Sequence, residues 1–170
     1  MKTKKIAIVL LLSLFLSLIT GCGKDKKLSA FEENMTTFKD NITGISETMD
    51  AIDPQSENAV FELISCLDSM NEEFQFLAEI EVPNKFASIE SLADEAATYM
   101  SEANALYHQY YDEGTTYDET VKETAEENYS RAMKRITYIS ELLQGKIPED
   151  ADISVTEEDA LDFEPVTQEE

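Results

Sequence analysis

Between residues 31 and 52 the apolar side chains recur at steps of four and three in strict alternation: Phe31, Met35, Phe38, Ile42, Ile45, Met49 and Ile52. That spacing keeps all seven on one stripe of an α-helix, whereas the two-residue period of a strand would scatter them over both faces. An apolar stripe has to be covered, and the chain supplies three more of similar length. The second is Val60, Leu63, Leu67, Met70, Phe74 and Leu77, widened by Phe61, Ile64, Phe76 and Ile80. The third is Phe86, Ile89, Ala93, Ala96, Met100, Ala103, Tyr107 and Tyr110, broadened by Leu92, Tyr99 and Leu106. Its alanines permit close helix approach. The fourth is Val121, Ala125, Tyr129, Ala132, Ile136, Ile139 and Leu143.

Punctuation between the stripes is sparse, with only five glycines and four prolines in 170 residues. Ser29 and Glu32 form a capping-box pattern at the start of the first stripe, and Thr116 and Glu119 repeat it at the fourth. Asp53-Pro54 reads as an N-cap followed by proline at the first helical position, Pro83 as a stop, and Asn84 as the next start. Gly114 and Gly145 sit where a left-handed C-terminal cap belongs. Gly44 alone falls inside a stripe, at a cost of about 1 kcal/mol relative to alanine. Together these signals predict an all-α fold over residues 29–146, an up-down-up-down antiparallel four-helix bundle about 40 Å long. The turn signals argue against its rival, one continuous coiled coil.

Ahead of the bundle, Lys2, Lys4 and Lys5 precede an apolar run from Ile6 to Thr20. Fifteen residues rise about 22 Å as a helix, short of the ~30 Å hydrocarbon core of a bilayer. A basic start, a short apolar run and then small residues form the pattern of a secretory signal peptide. The run closes on Leu18-Ile19-Thr20-Gly21-Cys22, which resembles the lipobox of bacterial lipoproteins. That resemblance implies cleavage before Cys22 and acylation of its sulfur. Residues 1–21 are then the signal peptide, 22–28 a lipidated tether, and the protein is held on the extracytoplasmic face of the cell membrane. Two acyl chains meet the requirement that stable anchoring takes more than one. Lys24, Lys26 and Lys27 would add attraction to an anionic surface, or serve only as a polar spacer.

Removing residues 1–21 takes three lysines and no acid from a chain with 13 basic and 36 acidic side chains, so the remainder carries a net charge of −26. Such a surface repels nucleic acid, whose phosphates need lysine and arginine. Residues 147–170 hold ten acids and no base among scattered apolar residues, a composition that predicts an acidic disordered tail.

Chemistry-bearing residues are few. With Cys22 lipidated, Cys66 is the one remaining cysteine; it lies in an apolar helical stretch and reads as a buried small hydrophobe. His108 is the only histidine, and Ala105 stands where a di-iron Glu-x-x-His pair would need glutamate. With Asp112 at i+4 it makes at most half of a weak metal site. No catalytic residues, metal or cofactor are expected, and the chain is not read as an enzyme.

In an up-down-up-down arrangement the first and third turns share the end remote from the membrane. There Tyr107, His108, Tyr110, Tyr111, Asp112, Glu113 and Tyr117 join Asp50, Asp53, Asp118 and Glu119. Acids such as Asp112 and Glu113 at a helix C-terminus oppose its dipole. The bland reading is seam residues plus solvated face; the functional one is a contact surface for a protein with a basic patch. The expected function is therefore a non-enzymatic interaction or accessory module at the cell surface. A second expectation, small-ligand or cation binding, rests on that end or on a cavity where the alanines of the third stripe oppose Phe61, Phe74 and Phe76.

Overall fold

A computed structural model describes residues 26–111, 118–146 and 148. Cys22, Asp112, Glu113 and Tyr117, the signal peptide and nearly all of the acidic tail lie outside the described residues. Among the described residues the chain is all-helical. It comprises α1 (Lys26–Ala51), α2 (Ala59–Glu79), a 3-10 turn (Asn84–Phe86), α3 (Ala87–Tyr111) and α4 (Glu119–Leu143).

The four stripes meet in one core. Phe31, Met35, Phe38 and Ile42 of α1 are buried, as are Met70, Phe74 and Leu77 of α2, Ile89, Ala96 and Met100 of α3, and Ala132, Ile136 and Ile139 of α4. Phe31 stacks on Phe86 with ring centres 5.4 Å apart, and Phe38 meets Phe74 edge-on at 5.7 Å. Aromatic pairs in these arrangements stabilise beyond their area alone. The most extensive helix contact joins α3 to α4, followed by α2 with α3 and then α1 with α2. The order follows side-chain size. Ala93, Ala96, Ala97 and Ala103 of α3 and Ala125 and Ala132 of α4 are all buried, so these two backbones can draw close. A polar ladder runs down the same seam. Arg135 Nε donates to Glu95 Oε2 at 2.9 Å, Asn128 Nδ2 to Glu102 Oε2 at 3.2 Å, and the Arg135 guanidinium lies 5.0 Å from the Tyr99 ring centre.

Three of the predicted starts are displaced. α1 begins at Lys26, so Ser29 lies inside the helix rather than capping it. At the α1–α2 junction the Asp53 side chain accepts from Gln55 N at 3.0 Å, and its carbonyl accepts from Ser56 N at 2.9 Å. This local turn consumes the groups that an N-cap would have used, so α2 waits until Ala59, with Asn58 before it. At α4 the cap is Asp118, whose Oδ1 accepts from Thr120 N at 2.9 Å, in place of the expected Thr116. The C-terminus of α4 follows expectation. Gly145 has φ +69°, its N–H donates to Leu142 O at 2.8 Å, and Lys146 N donates to Glu141 O at 2.9 Å. That pair of bonds is a Schellman cap, and the positive φ is what requires glycine.

The second stripe is only partly covered. Phe74 is in the core and Phe76 is half-buried, but Val60 is 44% exposed and Phe61 75% exposed. Leu63 and Ile64 are half-buried. On α2 the enclosed residues begin only at Cys66, so its first two turns stand outside the core.

Candidate functional site

Tyr107, His108, Tyr110 and Tyr111 occupy the last turn and a half of α3. The next described element, α4, starts at the Asp118 cap. The Tyr110 hydroxyl donates to Glu119 Oε1 at 3.1 Å, tying the end of α3 to the first turn of α4. Tyr110 and Tyr111 meet edge-on with ring centres 4.9 Å apart. Loss of hydration and the Glu119 contact both raise the Tyr110 hydroxyl above its ordinary pKa. Tyr107 is half-buried, and burial, reinforced by the charge of Glu126, pushes its pKa up to about 12. Across α4, burial and the nearby Asp50 raise Tyr129 as well. These phenols stay protonated near neutral pH and act as hydrogen-bond donors. Beside them Lys122 lies 3.7 Å from Glu119 and 3.9 Å from Glu126, and its ammonium is held above its usual range by those two charges.

His108 has a partner that the sequence did not suggest. Its Nε2 lies 2.7 Å from Asp68 Oδ1, which also accepts from Asn104 Nδ2 at 3.0 Å. Asp112, which with His108 made at most half of a weak metal site, lies outside the described residues. Partial burial raises the Asp68 carboxyl, but the bonds from His108 and Asn104 and the His108 charge outweigh it, so the net direction is down. Among the described residues no cluster of three or more His, Cys, Asp and Glu could hold a metal ion.

A groove of about 500 Å³ lies between α1 and α2, open to solvent. Asp40, Asn41, Gly44, Ile45 and Thr48 form one wall; Ser65, Cys66, Ser69 and Glu73 form the other. Asn41 Nδ2 donates to Glu73 Oε1 at 2.9 Å, while Glu73 Oε2 is enclosed and has no hydrogen-bond partner. Cys66 is a buried free thiol, and burial, with Glu62 adding to it, raises its pKa, which disfavours the thiolate a nucleophile needs.

The sequence reading missed Phe61 as a surface residue. A signal was present: positions four, seven and eleven residues on are Ser65, Asp68 and Glu72, so Phe61 heads a polar stripe rather than an apolar one. It also missed Arg135, a buried cation whose partner Glu95 looks in sequence like one more surface acid. Of the three phenylalanines set opposite the α3 alanines, Phe61 is mostly exposed, Phe76 is half-buried and Phe74 is in the core. Compared with protein-family models, curated proteins and solved structures, the chain finds no significant match in any of the three.

Proposed function

We propose that this chain is a lipid-anchored, extracytoplasmic helical bundle that acts without catalysis, as an interaction or accessory module at the bacterial cell surface. Its four helices run up-down-up-down. The contact pairs support this order, since partners on successive helices run in opposite senses: Lys27 with Glu81 but Asn41 with Glu73, and Arg135 with Glu95 but Glu119 with Tyr110. Acylation of Cys22 fixes the start of α1 at the membrane and carries the α3–α4 end some 40 Å outward.

The observation that carries the reading is the aromatic and acidic group at that outer end. Tyr110 is held by Glu119, Tyr111 packs on it edge-on, Asp118 and Glu119 are exposed at the start of α4, and Asp50 and Asp53 are exposed at the α1–α2 junction. Tyrosine offers large contact area for few rotors, and the acids select a partner with a basic patch. Replacing Tyr111 and Tyr117 with serine is expected to spare the fold and weaken partner capture, with association falling as salt rises. The membrane half of the proposal is tested by Cys22→Ala. Loss of membrane retention, with an unprocessed precursor or a secreted product, is the expected result; a mature-sized variant that still pellets with membranes in high salt refutes it.

One observation favours the second reading, a small cationic ligand: the α1–α2 groove, with Asp40 and the unpartnered Glu73 Oε2 on facing walls. Titration with alkylamines, read from amide shifts along both walls and their loss in Glu73→Gln, decides it.

A further inference from the structure

From Asp40 to Asn84, 45 consecutive residues contain eleven acids and no lysine, arginine or histidine. This stretch spans the second half of α1, the turn and all of α2, two helices in direct contact, so the structure turns a run in sequence into one side of the molecule. Among the described residues its cationic contacts include His108 on Asp68 and Lys27 on Glu81, both from outside the run. The same side carries the largest exposed apolar side chain among the described residues, Phe61, beside Val60. Ile64, half-buried, is three residues from Phe61 and four from Val60. On a helix those spacings set Ile64 beside both, an apolar patch at the start of α2. Glu57 and Glu62 are exposed at its border.

A contiguous apolar patch rimmed by polar residues, unlike a single exposed side chain, is the kind of surface that marks a contact site. Charge decides what covers it. A second copy would bring the same base-free surface against itself. The chain's own tail, ten acids and no base over residues 147–170, is repelled in the same way, and so is an anionic membrane surface. A partner that satisfies both the patch and its surroundings has an apolar stripe flanked by lysine or arginine. We infer that the apolar start of α2, set in the base-free α1–α2 side, docks a cationic amphipathic helix, with Phe61 as the central anchor. The inference rests on the interaction-module reading and moves its principal contact from the tyrosines of α3 to Phe61.

The test uses the full-length chain in phosphatidylcholine nanodiscs, with binding measured by fluorescence anisotropy against empty discs. The probes are a Leu/Lys amphipathic helix of about 18 residues, long enough for five turns, a scrambled isomer of it, and a Leu/Glu counterpart. Phe61→Ser retains the fold, checked by its melting curve, because the side chain is mostly exposed. It is expected to weaken the Leu/Lys helix at least about tenfold, as befits an anchoring phenylalanine. Glu57→Gln with Glu62→Gln weakens it further than Glu90→Gln with Glu123→Gln, an equal change of charge among exposed residues of α3 and α4. Equal affinity of wild type and Phe61→Ser overturns the inference, as does equal binding of the scrambled or acidic peptide. Loss of binding in Tyr111→Ser but not in Phe61→Ser overturns it while leaving the tyrosine surface of the proposed function standing. Self-association of wild type that Phe61→Ser abolishes also overturns it, in favour of a second copy as occupant.

Discussion

Replacing Glu95 with alanine removes the carboxylate that faces a buried guanidinium. The Arg135 side chain is 5% exposed and that of Glu95 42% exposed, with Nε–Oε2 at 2.9 Å. Breaking a fully buried pair costs about 3–5 kcal/mol, because the surviving charge is left without compensation. An exposed pair contributes about 0.2–1 kcal/mol. Here the charge left behind is the enclosed one, while water reaches the space vacated by Glu95. Arg135 also keeps the Tyr99 ring face at 5.0 Å and further polar contacts. The expected loss is therefore intermediate, about 2 kcal/mol. For a bundle of this size that lowers the melting temperature by roughly 8–12 °C. Far-ultraviolet circular dichroism melts of wild type, Glu95→Ala and Glu90→Ala provide the comparison, since Glu90 is an exposed acid on the same helix. The loss should persist at high salt, because an enclosed pair is screened little. Adding Arg135→Met to Glu95→Ala should restore most of the stability by removing the stranded charge. The reasoning fails if Glu95→Ala melts within about a degree of Glu90→Ala.

Gly44→Ala is expected to stabilise by up to about 1 kcal/mol, since a Cβ built there meets nothing within 4 Å; urea unfolding measures it. A further expectation concerns acid. The folded pKa of Asp68 lies below its unfolded value of about 3.9, so between the two the unfolded chain binds more protons. The contribution of Asp68 to stability is thus present above about pH 4 and lost as pH falls through the folded value. With its side chain 47% exposed it amounts to less than about 1 kcal/mol. Urea unfolding of wild type and Asp68→Asn at pH values on either side of 4 checks this: the two should differ above it and converge below.

What could be read along the chain and what could not divide by the range of the interaction. The stripe from Phe31 to Ile42 and the glycine cap at Gly145 depend on residues within a turn or two of one another, and both appear where the spacing puts them. Helix starts fared worse because several side chains compete for the same few amides. Asp53 had the right identity for a cap, yet its carboxylate closed a turn onto Gln55 instead. Thr116 fitted the capping-box spacing of α4, yet Asp118 holds the bond to Thr120. Val60 and Phe61 show a different limit. Periodicity says which side of a helix is apolar, but how much of that side is covered depends on the bulk of the helices opposite. Here the enclosed part of α2 begins only at Cys66.

Electrostatic partners are the least legible, because periodicity relates residues only along one helix. His108 contacts Asp68, 40 residues earlier on another helix, a pairing no helical spacing reveals. Glu95 looked like solvated surface because Arg135 lies 40 residues away on α4. The base-free run from Asp40 to Asn84 is plain in the sequence, yet as a linear fact it could equally coat opposite faces of the molecule. Contact between α1 and α2 gives it meaning by making eleven acids and an exposed phenylalanine properties of one side. Bases sit mainly on the other side, where Arg131 and Arg135 are occupied by Glu127, Glu95 and the Tyr99 ring. Four bases on α4 offset part of the acid of the α3–α4 pair, whereas the run from Asp40 to Asn84 has no base of its own and draws contacts such as Lys27 on Glu81 and His108 on Asp68 from outside itself.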